Sequence, residues 1–162
     1  TGSALATSAQ PNCLDNTANN FYLTGVQLEV GSVATPFEFR PFAQELFLCQ
    51  RYFQAIGGDI PTQCFGHGAA LSNNSPLFTI HLPVKMRAAP TGSVSAAGDF
   101  VANDFLGNTY ALTGVTFSAV QLSTNMAIAD CTVSGTPLTA NRHMWMKANN
   151  TSNARIYMSA EL

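Results

Sequence analysis

Charge is what this 162-residue sequence has least of: Asp, Glu, Lys and Arg make up 10% of it, against roughly 25% in an average globular chain. Beside a hydrophobic content of 46%, that argues against disorder for most of the length, because disordered chains need high charge and few apolar side chains. The seven Lys and Arg residues are scattered, and only Lys85 and Arg87 stand close together. Neutralising a phosphate backbone takes a cluster of cations, so no nucleic-acid partner is expected. No apolar run approaches the ~18 residues of a membrane-spanning helix, so no membrane insertion is expected either. Cys13, Cys49, Cys64 and Cys131 include no Cys-x-x-Cys pair, which leaves zinc-knuckle and thioredoxin-like sites unsupported. Four free, mostly buried thiols are the expectation. No basic segment leads into an apolar one, so no signal peptide is expected. Thr1 in place of an initiator Met reads as a fragment or processed product.

The signatures of catalysis are equally sparse. There is no Gly-x-Ser-x-Gly elbow and no phosphate loop. His67, His81 and His143 lie far apart without a His-x-His pair, and they read as surface or strand histidines rather than metal ligands. Asp99 and Asp104 are the carboxylates nearest in sequence, but beside Gly98 and Gly107 they read as turn formers. The expectation is a non-enzyme with no catalytic residue, no metal and no cofactor.

What the sequence does have is period-two alternation and turn chemistry. Residues 1–20 carry few large apolar side chains and read as an extended leader. The run Phe21 to Val30 alternates, with Tyr22, Val26, Leu28 and Val30 on one face, which predicts a half-buried strand over 21–30. Phe42, Leu46, Cys49 and Phe53 recur at helical spacing after Pro41, predicting one short helix over 42–53 with those residues inward. Strands are predicted at 63–71, 77–84, 92–96, 109–112, 115–122, 127–133, 142–148 and 155–161, punctuated by Gly, Asn and Pro turns. Short strands at this spacing predict an all-β fold, an antiparallel jelly-roll-like β-sandwich over 42–162, with 1–41 as leader and linker.

The stretch Thr24-Gly25-Val26-Gln27-Leu28-Glu29, Gly31-Ser32, Ala34-Thr35-Pro36-Phe37-Glu38 and then Leu48-Cys49-Gln50-Arg51-Tyr52-Phe53 resembles a recurrent module in tail-fibre and other appendage proteins of tailed bacteriophages. Pro83-Val84-Lys85-Met86-Arg87-Ala88-Ala89-Pro90 and the ending Met158-Ser159-Ala160-Glu161-Leu162 are similar to later segments of the same group. The resemblance implies a structural virion protein made in the bacterial cytoplasm. It further implies a trimer-forming distal domain, other appendage proteins as neighbours, and a host-surface receptor such as a glycan. It supplies no catalytic residues. A dedicated carbohydrate-binding module and a capsid-fibre or decoration protein are the alternatives, with a polysaccharide depolymerase behind them.

Receptor contact is expected where aromatic side chains meet polar turns: Asp104, Asn108 and Tyr110 in one segment, His143 and Trp145 in another. On a strand, Met144 and Met146 share one face, while His143, Trp145 and Lys147 share the other. Trp145, the sole tryptophan, is thus a core plug or a stacking platform. Arg51 is a candidate ion-pair partner for Glu38 or Glu45.

Overall fold

The computed structural model describes residues 20, 22–135 and 137–161. The chain divides into two compact units, Thr1–Arg40 and Pro41–Leu162.

In the first unit the strand expected over 21–30 is not formed: residues 22–30 carry no strand pairing, and Phe21 lies outside the described residues. A period-two pattern becomes a strand only when a neighbour takes up its backbone groups, and among the described residues no ladder forms here. The polar side chains bond one another instead. Glu29 accepts from the Thr35 backbone N–H at 2.6 Å and from the Thr35 hydroxyl at 2.5 Å, while Gln27 Nε2 donates to Glu29 at 3.1 Å and to the Thr35 hydroxyl at 3.2 Å. The Glu38 backbone N–H closes the loop on Gln27 Oε1 at 2.9 Å. This clasp uses the polar residues of the 24–38 motif and leaves Leu28 99% exposed, with Val26, Val30 and Phe39 also exposed. Glu38 pairs with Arg40 at 2.8 Å.

The second unit opens with a helix, α1 (Phe42–Gln50), three residues shorter than expected. The chain turns through Arg51 and Tyr52, whose carbonyls accept from the backbone N–H groups of Arg87 and Ala160 at 2.9 and 2.7 Å. Those long-range bonds win over helical spacing, and Phe53 enters a strand. None of the helix residues is buried, so the inward face expected of Phe42, Leu46 and Cys49 is not realised.

Among the described residues nine strands follow: β1 (Phe53–Gly57), β2 (Cys64–Ala70), β3 (Pro76–His81), β4 (Thr91–Val94), β5 (Phe100–Asp104), β6 (Thr109–Leu122), β7 (Met126–Val133), β8 (His143–Ala148) and β9 (Arg155–Ser159). A 3-10 turn at Ala97–Asp99 precedes β5. The mostly β, antiparallel character read from the sequence is present, with one short helix. Six strands close into a barrel in the order β2-β3-β7-β6-β5-β8, and β1-β9-β4 form a separate sheet.

Alternation explains why these segments pair as they do. Phe78 and Ile80 of β3, Ala127, Ala129 and Cys131 of β7, and Met144, Met146 and Ala148 of β8 are buried in one cluster that also takes in Ile156 and Met158 of β9. Each large side chain there contributes about 1.5–3 kcal/mol relative to exposure. Gly68 sits between the partners Phe78 and Met144, where a Cβ would lie 1.6 Å from the Leu77 carbonyl oxygen, so only glycine fits. The two strands expected at 109–112 and 115–122 are one. Gly114 is absorbed as a register shift opposite Thr132 rather than as a turn. Of the cysteines, Cys49 and Cys64 are free and exposed, contrary to the mostly buried expectation; Cys131 is free and buried. Loss of hydration pushes the Cys131 thiol up to about 12. Cys13 lies outside the described residues.

Candidate functional site

The outer face of β2, β8 and β5 gathers the chain's unusual side chains, and strand register is what brings them there. His67 pairs with Trp145 across β2 and β8, Ala69 with His143, and Asn103 with Trp145 across β8 and β5. Because Met144 and Met146 point into the barrel, His143, Trp145 and Lys147 stand on its outside. The rings of His67 and His143 are parallel within 4° at a centroid separation of 6.3 Å. Phe105 continues the row, parallel to His143 within 8° at 5.3 Å, and meets Trp145 edge-on at 4.8 Å. Trp145 is half-buried on the outer wall and is not a plug in the core.

Phe105 is 67% exposed, and an exposed aromatic at a loop tip needs something to hold it. Asp104 does so. Its side chain is fully buried, and Oδ1 accepts from the backbone N–H groups of Leu106 and Asn108, each at 3.0 Å. Oδ2 accepts from Asn108 Nδ2 at 2.9 Å, Arg142 Nη1 at 2.7 Å and the Tyr110 hydroxyl at 3.4 Å. The Asn108 amide first, then Arg142 and the two backbone N–H groups, hold the Asp104 carboxyl well below the usual carboxylate range, against burial, which pushes it up. Gly107 supplies the positive φ of 85° that lets four residues turn back into β6. Arg142 directly precedes His143, so the ion pair also ties the Phe105 tip to the start of β8.

The residues singled out in the sequence therefore fall into two sets. His143 and Trp145 lie on the outer face. Asp104 and Tyr110, expected to touch a ligand, are buried and act beneath it, and Asn108 serves the same turn while itself exposed. Phe105 and His67 were not among the residues expected to touch a receptor, His67 having been read as a surface or strand histidine. The sequence signal for Phe105 is an aromatic directly after an Asp that caps its own turn four residues on, at Asn108. For His67 it is a lone large polar side chain between two glycines of a strand.

Beyond His67 an open groove of about 340 Å³ is lined by Cys64, Phe65, Gly66, His67, Thr79 and His81. Among the described residues no three His, Cys, Asp or Glu side chains gather as a metal site. Among the same residues no helix is long and apolar enough to cross a membrane. Asp99 binds the Ser95 hydroxyl at 2.7 Å and Asp104 binds Arg142, so these two carboxylates serve separate structural bonds. Comparison with known families, curated proteins and solved structures finds no match for this chain.

Proposed function

We propose that this chain is a structural, non-catalytic domain of a tailed-phage tail fibre or similar virion appendage. In this reading it assembles as a homotrimer alongside other appendage proteins and contributes to attachment at the host surface. The barrel with its companion sheet serves as the sandwich-like distal domain. The observation that carries the attachment role is the exposed ring row of Phe105, His143 and His67 beside Trp145, clamped from below by Asp104 and Arg142. Exposed aromatic side chains on a rigid scaffold are the usual anchors of recognition. The motif over residues 24–54 supports the appendage assignment, and the commitment of Asp99 and Asp104 to structural bonds supports a binding role over a hydrolytic one.

Self-association is supported by the low charge and by the exposed Phe42, Leu46 and Phe47 of α1. A nine-residue helix with no buried residue is marginal by itself in water. Light scattering at micromolar concentration should give a mass of three times the 17.2 kDa chain. A mass of one chain would favour the second reading, a monomeric carbohydrate-binding module, which the ring row supports equally.

A further inference from the structure

The outer face carries polar groups that the protein itself leaves unused. Asn103 is 6% exposed and donates Nδ2 to the Thr109 hydroxyl at 2.8 Å, toward β6, while its Oδ1 is buried with no partner. A buried carbonyl oxygen without a donor is unfavourable enough that folded proteins rarely keep one unless water or a ligand completes it. Asn103 is also the cross-strand partner of Trp145. Among the described residues nothing bonds the indole N–H of Trp145, the ring nitrogens of His67 and His143, or the Lys147 ammonium. Flat apolar rings, an unpaired acceptor and several unpaired donors thus share one face.

Few ligand classes match that combination. A nucleotide would stack, but its phosphates need cations and this face offers Lys147 alone beside imidazoles. A lipid chain would cover the rings and leave the polar groups empty. A saccharide presents an apolar C–H face to an aromatic ring and hydroxyls around its edge that both donate and accept. Resting on the attachment reading above, we propose that the outer face of β2, β8 and β5 is an oligosaccharide site with two subsites. One sugar stacks on the face of Phe105 turned away from His143, and its hydroxyls meet the Trp145 indole N–H and, through a bridging water, Asn103 Oδ1. The next passes His67 into the groove between β2 and β3, where the Thr79 hydroxyl and His81 line the wall. Asp104 is a positioning residue for Phe105 and does not touch the sugar.

Trp145 is the chain's sole tryptophan, so its fluorescence reports on this face directly. The full chain is titrated with a panel of neutral and uronic-acid trisaccharides and with their component monosaccharides. The expected result is a shift in emission with at least one trisaccharide, weaker with its monosaccharide because only one subsite fills. Phe105→Ala should weaken binding about tenfold or more, and His67→Ala should weaken the trisaccharide while sparing the monosaccharide. Both residues are exposed, and an unchanged thermal midpoint verifies that each variant folds. Asn103→Ala, read the same way, tests the unpaired acceptor. No response to any probe, or a Phe105→Ala variant that binds like the parent, overturns the proposal. Adhesion of labelled protein to bacterial cells separates the two readings. Adhesion unaffected by Phe105→Ala, with no saccharide response, keeps attachment and overturns the sugar site. A saccharide response without adhesion to any cell keeps the sugar site and overturns attachment.

Discussion

Residues 22–40 and the barrel use the same alternating sequence grammar to opposite ends. In the barrel, β3 and β8 turn Phe78, Ile80, Met144 and Met146 inward, and their polar neighbours face out. In the clasp, Gln27, Glu29 and Thr35 bond each other while Val26, Leu28 and Val30 are left to solvent. Alternation specifies two faces; it does not specify which of them will find a neighbour. Where six strands close, the apolar face wins because burial is worth more than a few solvated hydrogen bonds. Where no second strand pairs, local side-chain bonds are what remains.

The largest test of this contrast is a pair of truncations. Phe78→Ala should cost about 3–5 kcal/mol in chemical denaturation, whereas Leu28→Ala should stay within about 0.5 kcal/mol. A Leu28→Ala loss as large as that of Phe78→Ala would show the clasp segment to be packed, and the comparison would fail.

A middle-sized effect belongs to Asp104. Its carboxyl is depressed in the folded state, so its contribution is fully present above the unfolded value near pH 4 and is lost as pH falls from there toward the folded value. Asp104→Asn should therefore lower the thermal midpoint at neutral pH by several degrees, and the gap from the parent should narrow in acid. A gap that stays constant across the acid range would mean that the carboxylate charge contributes nothing.

Glu29 supplies the smallest effect. Thr35 holds its carboxyl below the ordinary range through the hydroxyl first and the backbone N–H second, in a fully solvated setting. Glu29→Gln should leave the global unfolding midpoint unchanged and speed amide exchange at Thr35. In the parent, acid should lower the protection factor at Thr35 relative to the intrinsic rate at each pH, because a depressed carboxylate loses its contribution as pH falls. If the variant unfolds earlier as a whole, the clasp and the barrel are one cooperative unit.

Particular elements show how far the sequence could be read. The strands β3, β7, β8 and β9 were legible because one face of each meets the core and the other does not, which is the situation period two describes. The strand β5 was not, because all five of its positions are buried, two of them Asn103 and Asp104, and polar residues beside glycine read as a turn. The end of α1 was hidden for a different reason: it is set by bonds to Arg87 and Ala160, far away in the chain. At the site, the shared face of His143 and Trp145 followed from alternation alone. The role of Asp104 did not, since polarity suggests solvent and its guanidinium partner lies 38 residues further on. Phe105 went unread because its signal, the capping of the turn by Asp104, depends on Asp104 facing inward, which the sequence does not fix.

The order in which strands are joined has a consequence for biosynthesis. The middle strand of the small sheet is β9, flanked by β1 and β4, and the strand that joins β2 to β5 in the barrel is β8. Both of these linking strands lie in the last twenty residues or so of the segment, between His143 and Ser159. A nascent chain that has produced everything up to residue 142 holds four strands, β1, β2, β4 and β5, each waiting for a neighbour that the ribosome has yet to deliver. Their unpaired edges are the form most prone to stick to other strands. Folding of this domain thus waits for β8 and β9, and a variant lacking both strands should aggregate or be degraded rather than accumulate as a folded species.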